Sequence, residues 1–219
     1  MNLSAKYSTS KLLLSAAIAL ASFNGQAIAQ DIAVKTASGQ RCADLAGKQF
    51  NNVKIESARL QPANDPIPGA KYPSMTGEYG AGPQVAGLPA FCRVTGSIHP
   101  TADSDIRFEM WMPEDNWDGR FTGANNGGLA GSINYLDLAA SVRAGQAGAS
   151  TDTGHSAPPG EGAWAKGHPE KIRNYGWRAV HETTVAAKQF IAAYYGKGPE
   201  FSYFIGCSNG GRQALMEAS

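Results

Sequence analysis

A serine flanked by glycines has the residue types of a nucleophilic turn. Residues 206–211 read Gly-Cys-Ser-Asn-Gly-Gly and fit the pattern G-x-S-x-G around Ser208. An apolar run, Phe201–Ile205, precedes the pattern, and a helix-forming run follows it. Gly206 and Gly210 lack side chains, which lets a strand and a helix pass closely at a sharp turn. The sequence therefore predicts a strand-to-helix turn that presents Ser208 as a nucleophile.

Backbone amides near this serine are the expected acceptors of the negative charge that develops on an attacked ester. The helix after Ser208 directs its N-terminal amides at the site, chiefly the amide of Asn209. A second amide must come from a loop after an early strand. Residues 125–128 read Asn-Asn-Gly-Gly after a short predicted strand, so Gly127 or Gly128 is the expected donor. The alternative interpretation of these residues is an ordinary glycine-rich turn.

Alternating apolar residues predict the strands that carry this turn. Residues 91–98 and 106–112 alternate on either side of a Pro-containing turn, which indicates an antiparallel pair. Apolar residues from Trp177 to Tyr195 recur at helical spacing. Antiparallel strands followed by a helix, a buried strand and another helix predict an α/β fold with a mixed sheet. The remaining predicted strands are residues 53–60, 120–124, 146–150 and 201–205, the last helix is 212–218, and residues 61–89 and 151–169 are mostly loop.

The composition is that of an ordinary packed protein. Of 219 residues, 42% are apolar and 17% are charged, which is enough apolar surface for a core. The net charge of +1 gives no electrostatic reason to expect a nucleic acid or an anionic membrane as partner.

The first residues read as a secretory signal peptide. Lys6 and Lys11 provide a positive start, residues 12–20 form a short apolar run, and residues 27–29 read Ala-Ile-Ala. A membrane anchor is the alternative, but the apolar run is too short to span a bilayer. We therefore expect a signal peptide at 1–29, a mature catalytic segment at 30–219, and a secreted or periplasmic location without a membrane contact.

Three cysteines are present, and an odd number leaves one thiol without a partner in the chain. Cys42 follows the predicted mature start and Cys92 begins a predicted strand, so these two could be bridged in an oxidising compartment. The alternative is that Cys42, Cys92 and Cys207 are all free and buried.

The sequence shows no base for the serine. No Asp and no His follows Ser208, although a serine hydroxyl needs a base to remove its proton. We expect structural roles for the four upstream histidines, and no His, Asp or Glu cluster has the spacing of metal ligands. The four are His99, His155, His168 and His181.

Four segments together resemble the tannase and feruloyl esterase family, whose members carry a cysteine just before the nucleophilic serine. The resemblance covers the chain from about Cys42 to its end. It implies an α/β-hydrolase fold in which Ser208 forms an acyl-enzyme with esters of hydroxycinnamic or gallic acids. The segments are 125–131 (NNGGLAG), 151–155 (TDTGH), 174–182 (NYGWRAVHE) and 203–218 (YFIGCSNGGRQALMEA).

The same resemblance implies that this sequence is the N-terminal part of such an enzyme. In the family, the cysteine before the serine pairs with a cysteine next to the catalytic histidine, so Cys207 is expected to lack its partner here. The acid, the histidine, the lid domain and the calcium site that many relatives carry in that lid are also expected elsewhere, which leaves no cofactor for these residues. Taken alone, the chain is expected to be poorly soluble and nearly inactive.

Two further interpretations stay open on the sequence. One is another exported G-x-S-x-G hydrolase, such as a lipase or a peptidase. The other is a truncated, non-catalytic product. In the leading interpretation the partner is a small aromatic ester.

Overall fold

A computed structural model of the protein describes residues 37–74, 77–80 and 85–219. The predicted signal peptide, residues 1–29, lies outside these ranges. Contacts divide the chain into two units, residues 1–40 and 41–219, and the packing described below is that of the second unit.

Eight strands and five helices make up the described part of the chain. Short 3-10 turns occur at Leu45–Gly47 and Ala163–Ala165, and a π-turn at Asn174–Arg178 joins two helices. The strands are β1 (Val53–Gln61), β2 (Lys71–Ser74), β3 (Gly77–Gly80), β4 (Phe91–Ile98), β5 (Ile106–Pro113), β6 (Arg120–Ala124), β7 (Ala147–Thr151) and β8 (Phe201–Ile205). The helices are α1 (37–44), α2 (Tyr135–Arg143), α3 (Pro169–Arg173), α4 (Ala179–Tyr195) and α5 (Asn209–Glu217).

Six strands form one mixed sheet in the order β1-β4-β5-β7-β6-β8. Neighbours from β1 to β7 are antiparallel, whereas β6 pairs in parallel with both β7 and β8. The carboxyl ends of β6 and β8 therefore lie side by side at one end of the sheet. The loops that leave these two strands contain Gly127 and Ser208, respectively.

Helices cover both faces of the sheet because the strand side chains alternate between two apolar clusters. Phe91 and Trp111 pack with α2, while Cys92 and Met110 pack in the cluster that includes residues of α4. This two-sided burial confirms the predicted α/β class with a mixed sheet.

Most sequence-predicted strands are confirmed, including the antiparallel pair β4 and β5. Three elements were not predicted from the sequence: α2, the β2–β3 hairpin and α3, all of which lie in segments rich in small or loop-forming residues. The expectation that residues 201–205 form a buried strand is wrong for the described part of the chain. β8 lies at the sheet edge, and Phe201 and Ile205 are 57% and 68% exposed.

A buried ion pair joins β4, β5 and the start of α2. Two guanidinium nitrogens of Arg93 donate to the Glu109 carboxylate at 2.7 and 2.9 Å, and both side chains are almost fully buried. The Trp111 indole N–H and the Tyr135 hydroxyl donate to the same carboxylate at 2.8 and 2.9 Å. Since Tyr135 is the first residue of α2, this network fixes the helix that follows the Gly127 loop.

Replacing Glu109 with Ala should destabilise the fold by about 3–5 kcal/mol, because the Arg93 guanidinium would stay buried without its counter-charge. Tyr135→Phe is the matched control: it removes one hydrogen bond and leaves the ion pair, so the expected loss is about 1 kcal/mol. Urea unfolding of the two variants measures both losses. Similar losses would show that the ion pair itself contributes little.

Candidate active site

Ser208 lies at a sharp turn between β8 and α5, which is the turn that the G-x-S-x-G pattern predicts. Its backbone has φ 57° and ψ −122°, a conformation that non-glycine residues rarely adopt. The side chain is exposed, and its carbonyl accepts a hydrogen bond from the Gly211 amide at 3.0 Å. The turn therefore leaves Ser208 accessible at the surface.

Two glycines make this turn possible through close contacts. A β-carbon at Gly206 would collide with the backbone of Gly210, because the end of β8 and the first turn of α5 touch there. A β-carbon at Gly210 would collide with the side chain of Asn125, the first residue after β6. The missing side chains therefore let the loop after β6 pack against the serine turn.

The amide of Asn209 and the amides of the Gly127 loop are the donors available near this turn. Within the described ranges, no acceptor is found for the N–H groups of Asn209, Gly127 and Gly128. The Asn126 amide, in contrast, donates to Gln213 Oε1 at 3.1 Å and is not available. Gly127 and Gly128, the two donors predicted from the sequence for the second oxyanion position, thus both remain candidates.

Side chains from the first two turns of α5 donate hydrogen bonds to Asn126 in that loop. Asn209 Nδ2 donates to the Asn126 carbonyl at 3.4 Å, and Gln213 Nε2 donates to Asn126 Oδ1 at 3.2 Å. Gln213 is almost completely buried. The two candidate oxyanion loops are therefore held to each other by direct hydrogen bonds.

A second set of contacts holds α5 against the π-turn at 174–178. Asn209 Oδ1 accepts hydrogen bonds from the Tyr175 hydroxyl at 3.1 Å and from Arg212 Nε at 2.9 Å. The Arg212 guanidinium also donates to the carbonyls of Tyr175 and Gly176, and it lies over the Tyr175 ring, 4.5 Å from its centre. π-Turns of this kind occur frequently at functional sites. The Asn209 side chain is thereby held by the Gly127 loop through Nδ2 and by Tyr175 and Arg212 through Oδ1.

No histidine in the described part of the chain contacts Ser208. His155 is buried, stacks on Trp164 at 3.7 Å between ring centres, and bonds the Leu129 carbonyl through Nε2 at 2.9 Å. Burial lowers the pKa of His155, which favours its neutral form. Each of the other three lies near a carboxylate: His99 near Asp105, His168 near Asp103, and His181 near Glu217. These contacts agree with the expected structural roles.

The buried carboxyl of Asp152 organises the loop after β7. Asp152 Oδ1 accepts hydrogen bonds from the amides of Gly154 and Arg107 at 2.8 and 3.0 Å. The Asp152 carbonyl accepts the Gly131 amide at 3.2 Å, which connects this loop to the segment that begins with the Gly127 loop. Burial raises the pKa of Asp152 to about 7, because the charged form is poorly solvated.

The cysteines divide into a bridged pair and a free thiol. Cys42 and Cys92 form a disulfide whose Cα atoms are 5.5 Å apart, the pairing that the sequence allowed. Cys207 is exposed and unbridged within the described residues.

The described residues contain neither a candidate metal site nor a candidate membrane-spanning helix. No three or more His, Cys, Asp or Glu side chains come together there as a possible metal site. None of the helices in those ranges has the length and apolar character needed to cross a bilayer.

Sequence reasoning missed the side chains that support the turn. Tyr175, Arg212 and Gln213 lie in segments that resemble the family, but their sequence context predicts no role for them. A usable signal was present, since Arg212 and Gln213 follow Asn209 by three and four residues and must share its side of a helix. Which loops they reach depends on sheet order, which the sequence does not show.

The fold and the site together define an α/β-hydrolase-type architecture with a strained serine turn. The crystal structure of feruloyl esterase B from Aspergillus oryzae is similar, with a TM-score of 0.70 and 31% identity over 80% of this chain and 34% of that one. Residues 92–219 match the family model described as tannase and feruloyl esterase. The chain belongs to the tannase and feruloyl esterase family.

Curated relatives agree with this assignment. An uncharacterized esterase of Xanthomonas campestris is 38% identical over 179 residues, which is 81% of this chain and 29% of the relative. Feruloyl esterase C of Talaromyces stipitatus is 32% identical over 205 residues, 93% of this chain and 37% of the relative. The chain thus spans about a third of the length of these relatives.

Gly210→Ala should destabilise the fold by about 1–3 kcal/mol, because the added methyl group meets Asn125 in a filled space. Gly211→Ala is the matched control on the same helix. Its methyl group would make only an ordinary contact, and the gain in helix propensity should stabilise α5 by up to about 1 kcal/mol. Urea unfolding distinguishes the two, and equal stabilities would contradict the close approach of Asn125.

Titration of the buried Asp152 carboxyl should lower the free energy of unfolding as the pH rises. The folded protein keeps a proton on Asp152 up to about pH 7, whereas the unfolded chain releases it near its ordinary pKa of 3.8. The free energy of unfolding should therefore fall by about 1.4 kcal/mol per pH unit between about pH 4 and 7 from this group. Asp152→Asn removes this contribution. The free energy of unfolding of the variant should therefore increase relative to that of the wild type as the pH rises. Urea unfolding of both proteins at pH 5, 6 and 7 tests this. The same change in the free energy of unfolding with pH in both proteins would contradict it.

Proposed function

We propose that these residues form the nucleophile half of an active site in a carboxylic ester hydrolase that cleaves esters of aromatic acids. The observation that carries the proposal is the strained turn at Ser208, where an exposed serine precedes backbone amides that find no acceptor among the described residues. Family membership supports ester hydrolysis, and several relatives are named feruloyl esterases.

In the proposed reaction, Ser208 Oγ attacks the ester carbonyl carbon and loses its proton to a base. The carbonyl oxygen becomes negative in the tetrahedral intermediate, and the amides of Asn209 and of Gly127 or Gly128 donate hydrogen bonds to it. The α5 N-terminus adds a favourable dipole at the same place. The intermediate then expels the alcohol, which takes the proton, and leaves an acyl group on Ser208. Water attacks this acyl-enzyme next, releases the acid and restores the hydroxyl.

The base is proposed to be a histidine in the part of the relatives' length that this chain does not span. The four histidines described above all have partners elsewhere, so they are poorly placed to deprotonate Ser208. Without a base, such sites lose several orders of magnitude in rate. We therefore propose that the 219-residue chain has little activity by itself.

We further propose that the protein is exported and acts on a small aromatic ester without a cofactor. The signal-like residues 1–29 and the Cys42–Cys92 disulfide support an oxidising compartment. By the family resemblance, Cys207 would pair with a cysteine next to the base, which would tie nucleophile and base together.

Ser208→Ala in the full-length protein should lower kcat for methyl ferulate by at least about 10⁴-fold, because the acyl-enzyme of the proposed reaction forms on the Ser208 hydroxyl. Ser202→Ala, at an exposed position of β8, is the matched control and should retain near wild-type rates. Mass spectrometry after treatment with a fluorophosphonate should find the label on Ser208. Substantial turnover by the Ser208→Ala variant would refute the assignment.

A further inference from the structure

Gln213 is a polar side chain that the structure buries almost completely, with 1% of its surface exposed. Glutamine is mostly an exposed residue in proteins, so its burial requires partners for the amide. Both amide atoms bond one residue of the loop after β6. Oε1 accepts the backbone N–H of Asn126 at 3.1 Å, and Nε2 donates to Asn126 Oδ1 at 3.2 Å. One side chain of α5 therefore holds both the backbone and the side chain of Asn126.

The other polar groups of Asn126 are bonded as well. Nδ2 donates to the carbonyls of Ser132 at 2.6 Å and Thr151 at 3.1 Å, which ties Asn126 to the end of β7. The Asn126 carbonyl accepts a hydrogen bond from Asn209 Nδ2 at 3.4 Å. Since these bonds come from α5 and from the sheet, Asn126 cannot turn without breaking several of them.

The amide of Gly127 takes its direction from Asn126. The carbonyl of Asn126 and the N–H of Gly127 belong to the same planar peptide unit, so fixing the carbonyl fixes the N–H. Gly127 has no side chain to hold it, and among the described residues a β-carbon placed there would meet no atom within 4 Å. The direction of this N–H therefore depends on the hydrogen bonds of Asn126, two of which are made by Gln213.

We propose that Gln213 is a positioning residue that aims the Gly127 N–H at the ester oxygen to which the Asn209 amide also donates. The proposal rests on the proposed function and adds a residue to it. Gln213 follows Asn209 by four residues on the same side of α5, and because it is buried it acts on the reaction through Asn126. The helix thus carries one oxyanion donor in its own backbone and orients the other through a side chain one turn later. Donors that are fixed before the charge develops stabilise it most.

Gln213→Met in the full-length protein keeps the length of the side chain and removes both hydrogen bonds to Asn126. It should lower kcat for methyl ferulate about 10- to 100-fold and leave KM within about twofold, because the misplaced donor is needed mainly in the transition state. Gln61→Met is the matched control, since Gln61 is also buried and donates through Nε2 to the Pro66 carbonyl at 3.2 Å. It lies on β1, at the opposite edge of the sheet from β8, and should leave both constants near their wild-type values.

An inhibition constant separates positioning from a loss of folded enzyme. Ser208 Oγ adds to the carbonyl carbon of styryl trifluoromethyl ketone, the serine proton passes to the base, and the ketone oxygen becomes negative as in the tetrahedral intermediate. The inhibition constant of this ketone should rise about 10- to 100-fold in Gln213→Met, in step with the loss of kcat. Unfolding of part of the enzyme would lower kcat but would leave KM and the inhibition constant as they are. Gln213→Asn keeps the amide but withdraws it by one carbon, and it replaces Gln213→Met if that variant does not fold.

A wild-type inhibition constant in the folded variant would overturn the positioning role while leaving the proposed function intact. A rise in KM that accounts for the whole loss of kcat/KM would do the same. A full-length wild type that neither hydrolyses methyl ferulate nor takes a fluorophosphonate label on Ser208 would instead refute the proposed function, and the positioning role with it.

Discussion

The strained backbone at Ser208 depends on the absence of side chains at two neighbouring positions. Gly206 lets the end of β8 touch the start of α5, and Gly210 lets Asn125 approach from the loop after β6. Strained conformations persist only where the surrounding structure enforces them. Here the enforcement comes from two directions, because strand, helix and neighbouring loop meet within the first turn of α5. The exposed hydroxyl is a consequence of this packing.

The first two turns of α5 act as the common support for two separate segments, the Gly127 loop and the π-turn. Asn209 contacts both the Gly127 loop and the π-turn, Arg212 donates to the π-turn carbonyls, and Gln213 exchanges hydrogen bonds with Asn126. Charge-assisted hydrogen bonds from a guanidinium to carbonyl oxygens are strong and directional. A short helix can therefore fix loops that are distant in sequence, which a catalytic site requires when its donors must be aligned before the substrate arrives.

Local patterns in the sequence were sufficient for the strands, the class of fold and the serine turn, because alternation and glycine spacing are read over a few residues. They were not sufficient for α2, whose sequence mixes apolar and polar residues after a glycine-rich loop, or for the exposure of β8. The role of Arg212 was also hidden, since it depends on α5 lying against a turn more than thirty residues earlier in the chain. Exposure and long-range contacts follow from sheet order, which no short segment encodes.

The covalent link between Cys42 and Cys92 spans fifty residues, with β1 and the β2–β3 hairpin inside the ring it closes. Exposed residues rich in Pro, Asn and Asp, such as Asn64 and Asp65, also lie inside this ring, and such segments are where extracellular proteases cut. A single cut there would leave both pieces attached through sulfur. The edge strand β1 would stay paired with β4, so a nicked molecule retains its sheet as long as the surroundings stay free of reductant.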